Sequence, residues 1–177
     1  MTFFTFCQNM LETYKDDKHV FHIRGDNWQD NIKRGDGSYY FSAIPGIWGW
    51  ATWRRAWLKY DPSAKSFGAF ESPSQIKTLF TARFSQRFWL RRFRAVNSGE
   101  NTSTWDIPWG FSVMSNRGLC IAPNMNLVSN IGFGPTATHT LDTSSFLSAA
   151  PTTSMGEIGH PTTKRIDHRA DNYEIWK

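Results

Sequence analysis

The run over residues 39–60, YYFSAIPGIWGWATWRRAWLKY, constrains this chain more than any other stretch. It holds four of the nine tryptophans, Trp48, Trp50, Trp53 and Trp57. Residues 39–44 form an aromatic, strand-like run, and Pro45-Gly46 signals a turn. Residues 51–60 place Trp53 and Trp57 four apart beside Arg54, Arg55 and Lys59, the spacing of an amphipathic helix. Between turn and helix stands Trp48-Gly49-Trp50. A glycine flanked by indoles lets the backbone approach a neighbour closely while flat rings stand on either side. Sugars stack on flat apolar faces. Such rings also fill cores, the more frequent fate of large aromatics. Both readings stand at this point.

A chain of 177 residues is one domain by default. At this size it buries roughly 70% of its unfolded surface, enough for a core. The net charge of +5, with a pI near 9.4, is a mild basic bias. It is compatible with an anionic ligand or a membrane surface and selects neither. Cys7 and Cys120 form no paired motif, which points to buried free thiols in a reducing compartment. No apolar run reaches the ~18 residues of a spanning helix. The N-terminus lacks the basic start, apolar stretch and cleavage site of a signal peptide.

Residues 2–16 carry Phe3, Phe4, Cys7, Leu11 and Tyr14 at three- and four-residue spacing, a helix with one apolar face. It begins almost at Met1, so the pattern suggests truncation of a preceding element. Asp16-Asp17 reads as a solvated helix end rather than a metal pair, and residues 19–23 as a strand. Gly25-Asp26-Asn27 follows directly. Small polar residues at a strand's C-terminal end are where ligands sit in open α/β sheets. They are equally the residues of a plain turn. Residues 28–38 read as a loop of a length that often binds or covers a ligand.

Ser72-Pro73-Ser74-Gln75 is a helix start, with Ser72 as N-cap, Pro73 at the first position and Gln75 closing a capping box. Over residues 83–96, Phe84, Phe88, Trp89, Phe93 and Val96 form an apolar face. Arg83, Arg87, Arg91 and Arg94 line up near the opposite side. Such a stripe is ordinarily a solvated face, and it is also able to hold phosphate or an acidic head group. Thr104-Trp105-Asp106 opens a helix that runs toward Asn116, with Pro108 tolerable in its first turn and Gly118 as its stop. Asp106 lies where the helix dipole favours an ionised carboxylate. It is either a simple helix stabiliser or a general base presented between Trp105 and Trp109.

Residues 119–122 and 125–129 read as two short strands around Pro123-Asn124. Residues 130–135 are glycine-rich, and Ala137-Thr138-His139-Thr140 follows. His139 reads as a hydrogen-bonded loop residue or as a ligand for metal or phosphate. Residues 141–156 shift to Ser, Thr, Ala and Pro, a linker composition. The charged tail from Glu157 reads as an arm that packs on the body or on a second subunit of a homo-oligomer.

Taken in order, Gly-Asp-Asn after a strand, SYYFS, GIWGWATWRRAW, TWD, PNMNLVSNIGFG and ATHT resemble the C-terminal half of bacterial nucleotide-diphospho-sugar transferases, glycosyltransferases of the GT-A fold. More distantly, the chain is similar to the N-acetylglucosaminyltransferases of the animal Golgi. The likeness runs from Phe3 to about His160. It implies an α/β fold, a short mixed sheet flanked by helices. Residues 1–140 would form the acceptor-side part of the domain, and residues 141–177 a linker and C-terminal arm. It implies sugar transfer from a nucleotide-diphosphate sugar donor to a hydroxyl of a glycan acceptor, with inversion.

Carried over residue by residue, the resemblance makes Asp106 the base. Trp48, Gly49, Trp50 and Trp105, with Asp26 and Asn27, line the sugar and acceptor pocket. Gly132, Gly134 and His139 close over the diphosphate, with His139 also the candidate metal ligand. The complete enzyme would use Mg²⁺ or Mn²⁺ held by an Asp-x-Asp motif, which occurs nowhere in this sequence. The chain therefore reads as the acceptor half without the donor half, inactive by itself. The implied setting is bacterial polysaccharide biosynthesis in the cytoplasm, peripheral at the inner membrane. A second reading is a carbohydrate-binding module with Trp48 and Trp50 as platforms. A third is a nucleic-acid binder using the arginine stripe, for which no recognised module is present.

Overall fold

The computed structural model describes residues 1–100, 104–135, 137, 140, 142, 144–145 and 147–177. Helix α1 (Phe3–Thr13) is capped by Thr2, whose hydroxyl accepts from the Thr5 amide at 3.4 Å. It buries Phe6, Cys7 and Met10. Phe3, Leu11 and Tyr14 pack half-buried against the same core as Cys7, so the expected stripe is widened by Phe6 and Met10, and only Phe4, 80% exposed, falls outside it. The run FFTFC offers two adjacent helical faces, and tertiary contact selects the one on which Phe6 meets Tyr39 edge-on at 6.2 Å.

Strands β1 (Val20–Arg24), β2 (Tyr39–Ser42), β3 (Trp50–Thr52) and β4 (Leu119–Pro123) form one open mixed sheet in the order β2-β4-β1-β3. The central pair, β1 and β4, is parallel, with Ile23 opposite Ile121. The outer strands are antiparallel to their neighbours. A parallel pair requires a long crossover. Here it contains β2, β3 and the helices α2 (Arg54–Trp57), α3 (Phe67–Phe70), α4 (Pro73–Leu79), α5 (Arg83–Asn97) and α6 (Asp106–Ser115).

One sheet face, with Ile23, Tyr39, Phe41 and Ile121, packs on Phe6 and Met10 of α1 and on Met155. The other carries Phe21 and Cys120 against Ala56, Trp109 and Val113, and Tyr40 and Ala122 against Ala170. Cover on both faces explains why all five residues of β1 are buried. A second core, around Phe70, Trp89, Phe93 and Phe111, binds α3, α5 and α6 together. Cys7 and Cys120 are free and buried.

Several local expectations are corrected. The helix expected over residues 51–60 shrinks to α2, because Ala51 and Thr52 pair with Ile23 and His22 of β1. Arg55, expected on a charged helix face, donates instead to the carbonyls of Tyr14, Lys15 and Val20. It thereby binds the end of α1, and its guanidinium also lies 4.6 Å from the Trp53 ring. The capping box before α4 does not form. Ser72 Oγ pairs with Ser74 Oγ, and the Gln75 amide donates to the Ser72 carbonyl. Residues 125–129 are not a strand. Asn126 donates to the carbonyls of Val128 and Pro151, a side-chain alternative to ladder bonds.

On α5 the buried residues are Ser85, Trp89, Phe93 and Val96, while Phe84 and Phe88 stand on the outer side with the arginines. At the end of α6 the left-handed residue is Arg117 (φ 54°), one before Gly118. Gly118 is required for a different reason: a Cβ there would lie 2.6 Å from the Phe21 ring. The tail packs on the body, one of the two placements expected of it. It crosses β2, where Ile166 bridges Phe41, and ends in α7 (His168–Trp176), which is docked on the body. Among the described residues no helix is long and apolar enough to cross a membrane.

Candidate functional site

The end of β1, strand β3, α2 and the start of α6 converge on one aromatic cluster. His22 stacks on Trp50 at 5.5 Å and 14°. Trp50 lies 5.1 Å from Trp105 and 6.3 Å from Trp109. Trp57 stacks on Tyr60 at 4.8 Å and lies 5.1 Å from Trp109. Trp109 and His22 are fully buried, whereas Trp57 and Trp105 keep 40% and 41% of their surface in solvent. The cluster is buried at its base and open at its rim.

His22 holds the base together. Indole N–H only donates, so Trp109 Nε1 at 3.1 Å fixes His22 Nδ1 as an acceptor. The ring proton then sits on Nε2, which donates to the Gly46 carbonyl at 2.7 Å. Burial pushes the His22 pKa down to about 4, with the Gly46 hydrogen bond opposing and Arg24 reinforcing.

Asp106 begins α6 between Trp105 and the buried face of the helix. It is half-buried, and its carboxylate has no hydrogen-bond partner among the described residues. Its charge reaches Tyr60, whose phenol is raised by burial first and by Asp106 second. The Tyr60 hydroxyl itself bonds the Trp105 carbonyl at 3.4 Å. The rim thus pairs an uncommitted carboxylate with exposed indole.

The other candidate positions are arranged differently. Trp48 stands apart from Trp50, edge-on to Trp28 at 5.3 Å and to Phe133 at 5.8 Å. Trp50 has His22 stacked on its ring and Trp105 close by, so the open indole surface belongs to Trp105 and Trp57. Gly49 (φ 63°) does allow a close approach, but to protein: a Cβ there would lie 2.4 Å from Val128 Cγ1. Its carbonyl accepts from the Gly25 amide at 2.7 Å.

Asp26 is buried and accepts from Arg24 Nε at 2.7 Å and Trp28 Nε1 at 3.0 Å. Asn27 donates to the Pro123 carbonyl and accepts from the Gln29 amide. These two residues build the turn. In the glycine-rich loop, Gly132 is bonded to Asn130 and Thr140, and a Cβ at Gly134 (φ 152°) would meet nothing within 4 Å among the described residues. The loop meets Trp48 through Phe133. His139 lies outside the described residues.

A separate cleft, about 770 Å³, lies elsewhere. It runs between the loop after β1 and residues 150–159, with Asn27, Trp28, Lys33, Asn126 and Glu157 on its walls. Of the predicted site residues that are described, it contains only Asn27. Sequence reading passed over His22 and Tyr60, although a lone histidine in an apolar strand two residues before Arg24 was a visible signal. Among the described residues no three His, Cys, Asp or Glu side chains come together as metal ligands. Compared with protein-family models, with curated proteins and with solved structures, the chain matches none.

Proposed function

We propose that this chain is the acceptor-side half of an inverting GT-A-type glycosyltransferase, with Asp106 as its base. One observation carries the reading. The half-buried Asp106 carboxylate has no protein partner among the described residues and stands at the rim of an aromatic cluster whose open rings are Trp105 and Trp57. A sugar ring stacks on such an indole with its hydroxyls at the edge. A carboxylate within roughly 3 Å of one of them accepts its proton. The alkoxide oxygen forms the bond to the donor's anomeric carbon. On the opposite face the bond from that carbon to the diphosphate breaks, and its electron pair leaves with the nucleoside diphosphate.

In this proposal the Mg²⁺ or Mn²⁺ of the complete enzyme is held by the donor-binding part, since the described residues do not gather a ligand set for it. The partners are a nucleotide-sugar and a glycan acceptor in bacterial polysaccharide assembly. The second reading, glycan binding without catalysis, draws on the same exposed rings of Trp57 and Trp105.

Replacing Asp106→Asn in a protein that carries both halves separates the two. A general base predicts that transfer from UDP- or GDP-sugars falls by about 10²–10⁴-fold, with nucleotide binding unchanged. Undiminished turnover removes Asp106 from the mechanism. Glycan binding that survives Asp106→Asn, disappears in Trp105→Ala and is never accompanied by turnover supports the binding module.

A further inference from the structure

The outer face of α5 is a strongly charged surface that the proposed site does not use. The helix carries five arginines and no acidic residue in RFSQRFWLRRFRAVN. Among the described residues only Arg94 of these meets an acid, Glu71. Arg83, Arg87 and Arg91 have no ion-pair partner among the described residues, and Arg92 lies over the Phe88 ring at 4.3 Å. Between them stand Phe84, 45% exposed, and Phe88, 36% exposed. Phe84, Arg87, Phe88, Arg91, Arg92 and Ala95 border one shallow groove.

A merely solvated helix face does not present phenylalanines one turn apart, because each exposed ring forgoes its burial free energy. The opposite side of the same helix already supplies the core with Trp89, Phe93 and Val96, so these two rings are not needed there.

We propose that this face of α5 docks on an anionic lipid bilayer. The arginines meet lipid phosphates while Phe84 and Phe88 enter the head-group and acyl boundary, the arrangement of an interfacial amphipathic helix. Charge complementarity sets the sign of the partner. The paired rings favour a bilayer over a polyanion without apolar surface such as heparin. Single-stranded nucleic acid, whose bases also stack on aromatic rings, is separated from a bilayer by direct comparison of binding. The proposal is independent of the sugar-transfer reading.

Vesicle co-sedimentation of the intact chain tests it. Phosphatidylcholine vesicles containing phosphatidylglycerol should bind the protein, and pure phosphatidylcholine vesicles should not. Arg87→Gln with Arg91→Gln should weaken partitioning roughly 30-fold, at about fivefold for each surface cation. Phe84→Ser with Phe88→Ser should weaken it at least as much while leaving the far-ultraviolet circular dichroism unchanged, since both rings are outside the core. Heparin and single-stranded DNA serve as soluble polyanions. Binding to either of them that equals or exceeds binding to vesicles would overturn the proposal in favour of a polyanion surface. Absence of vesicle binding by the unaltered chain would also overturn it.

Discussion

Both nitrogens of His22 are committed, one to the Gly46 carbonyl and one to the Trp109 indole. A second ring proton would displace the indole N–H and place an unpaired charge in the core. Its folded pKa is about 4, against about 6.5 for a free imidazole. Between those values the unfolded chain takes up a proton that the native state refuses. The stabilisation from His22 is therefore full above about pH 6.5 and declines as pH falls toward 4, by on the order of 3 kcal/mol. His22→Gln keeps a neutral donor and acceptor in place of the ring. Urea unfolding followed from pH 7 to pH 4 should show a shallower acid slope in this variant and a lower stability at pH 7. An identical slope would show that His22 does not titrate on unfolding.

At the scale of elements, α7 depends on a carboxyl group. Asp167 caps the helix, accepting from the amides of Arg169 and Ala170. One turn on, Asp171 is buried and accepts from Ser42 Oγ at 2.6 Å and from the Ala43 amide at 2.9 Å. Burial raises its pKa to about 7, with the Ser42 and Ala43 bonds opposing, the Glu174 charge adding and Arg24 subtracting. The unfolded carboxyl releases its proton near 3.9. The folded state thus binds the proton more tightly, and this contribution is complete below about pH 4 and lost as pH rises through 7. Amide exchange in α7, corrected for intrinsic rates, should be faster at pH 8 than at pH 5.5. Asp171→Asn should remove that difference while keeping a donor and an acceptor for Ser42. Equal exchange at both pH values in the unaltered protein would place the control of α7 elsewhere.

Across the whole molecule, Arg24 joins the first strand to the last helix. It pairs with Asp26 at 2.7 Å and with Glu174, 150 residues away in sequence, at 2.8 Å. Its side chain is 1% exposed. Gly46 is a glycine because this pair takes its space: a Cβ there would lie 2.3 Å from Arg24 Nε. Arg24→Met should cost about 3–5 kcal/mol, since it leaves the buried Asp26 and the largely buried Glu174 without their cation. Adding Asp26→Asn and Glu174→Gln should restore much of the loss. A cost of the single change below about 1 kcal/mol in denaturant unfolding would show that the pair is not what fastens the tail.

The sequence by itself determined the local elements with strong periodic or capping signals. The helix that opens the chain, Pro73 at the start of α4, the long repeat of α5 and Asp106 in the first turn of α6 were all legible, because each rests on residues within a turn or two of one another. Tertiary structure decided what lies between such segments. It chose Phe6 and Met10 over Phe4, turned Phe84 and Phe88 outward, drew Ala51 and Thr52 out of a helix and into the sheet, and folded the charged tail into a docked helix. It also separated Trp48 from Trp50 and committed Asp26 to Arg24, leaving Asp106, among the described residues, as the predicted polar residue whose side chain is still uncommitted. The physical reason is common to all of these. Periodicity states that a face is apolar. Which neighbour covers it, and which charge a distant chain segment neutralises, depends on contacts between residues far apart in the chain.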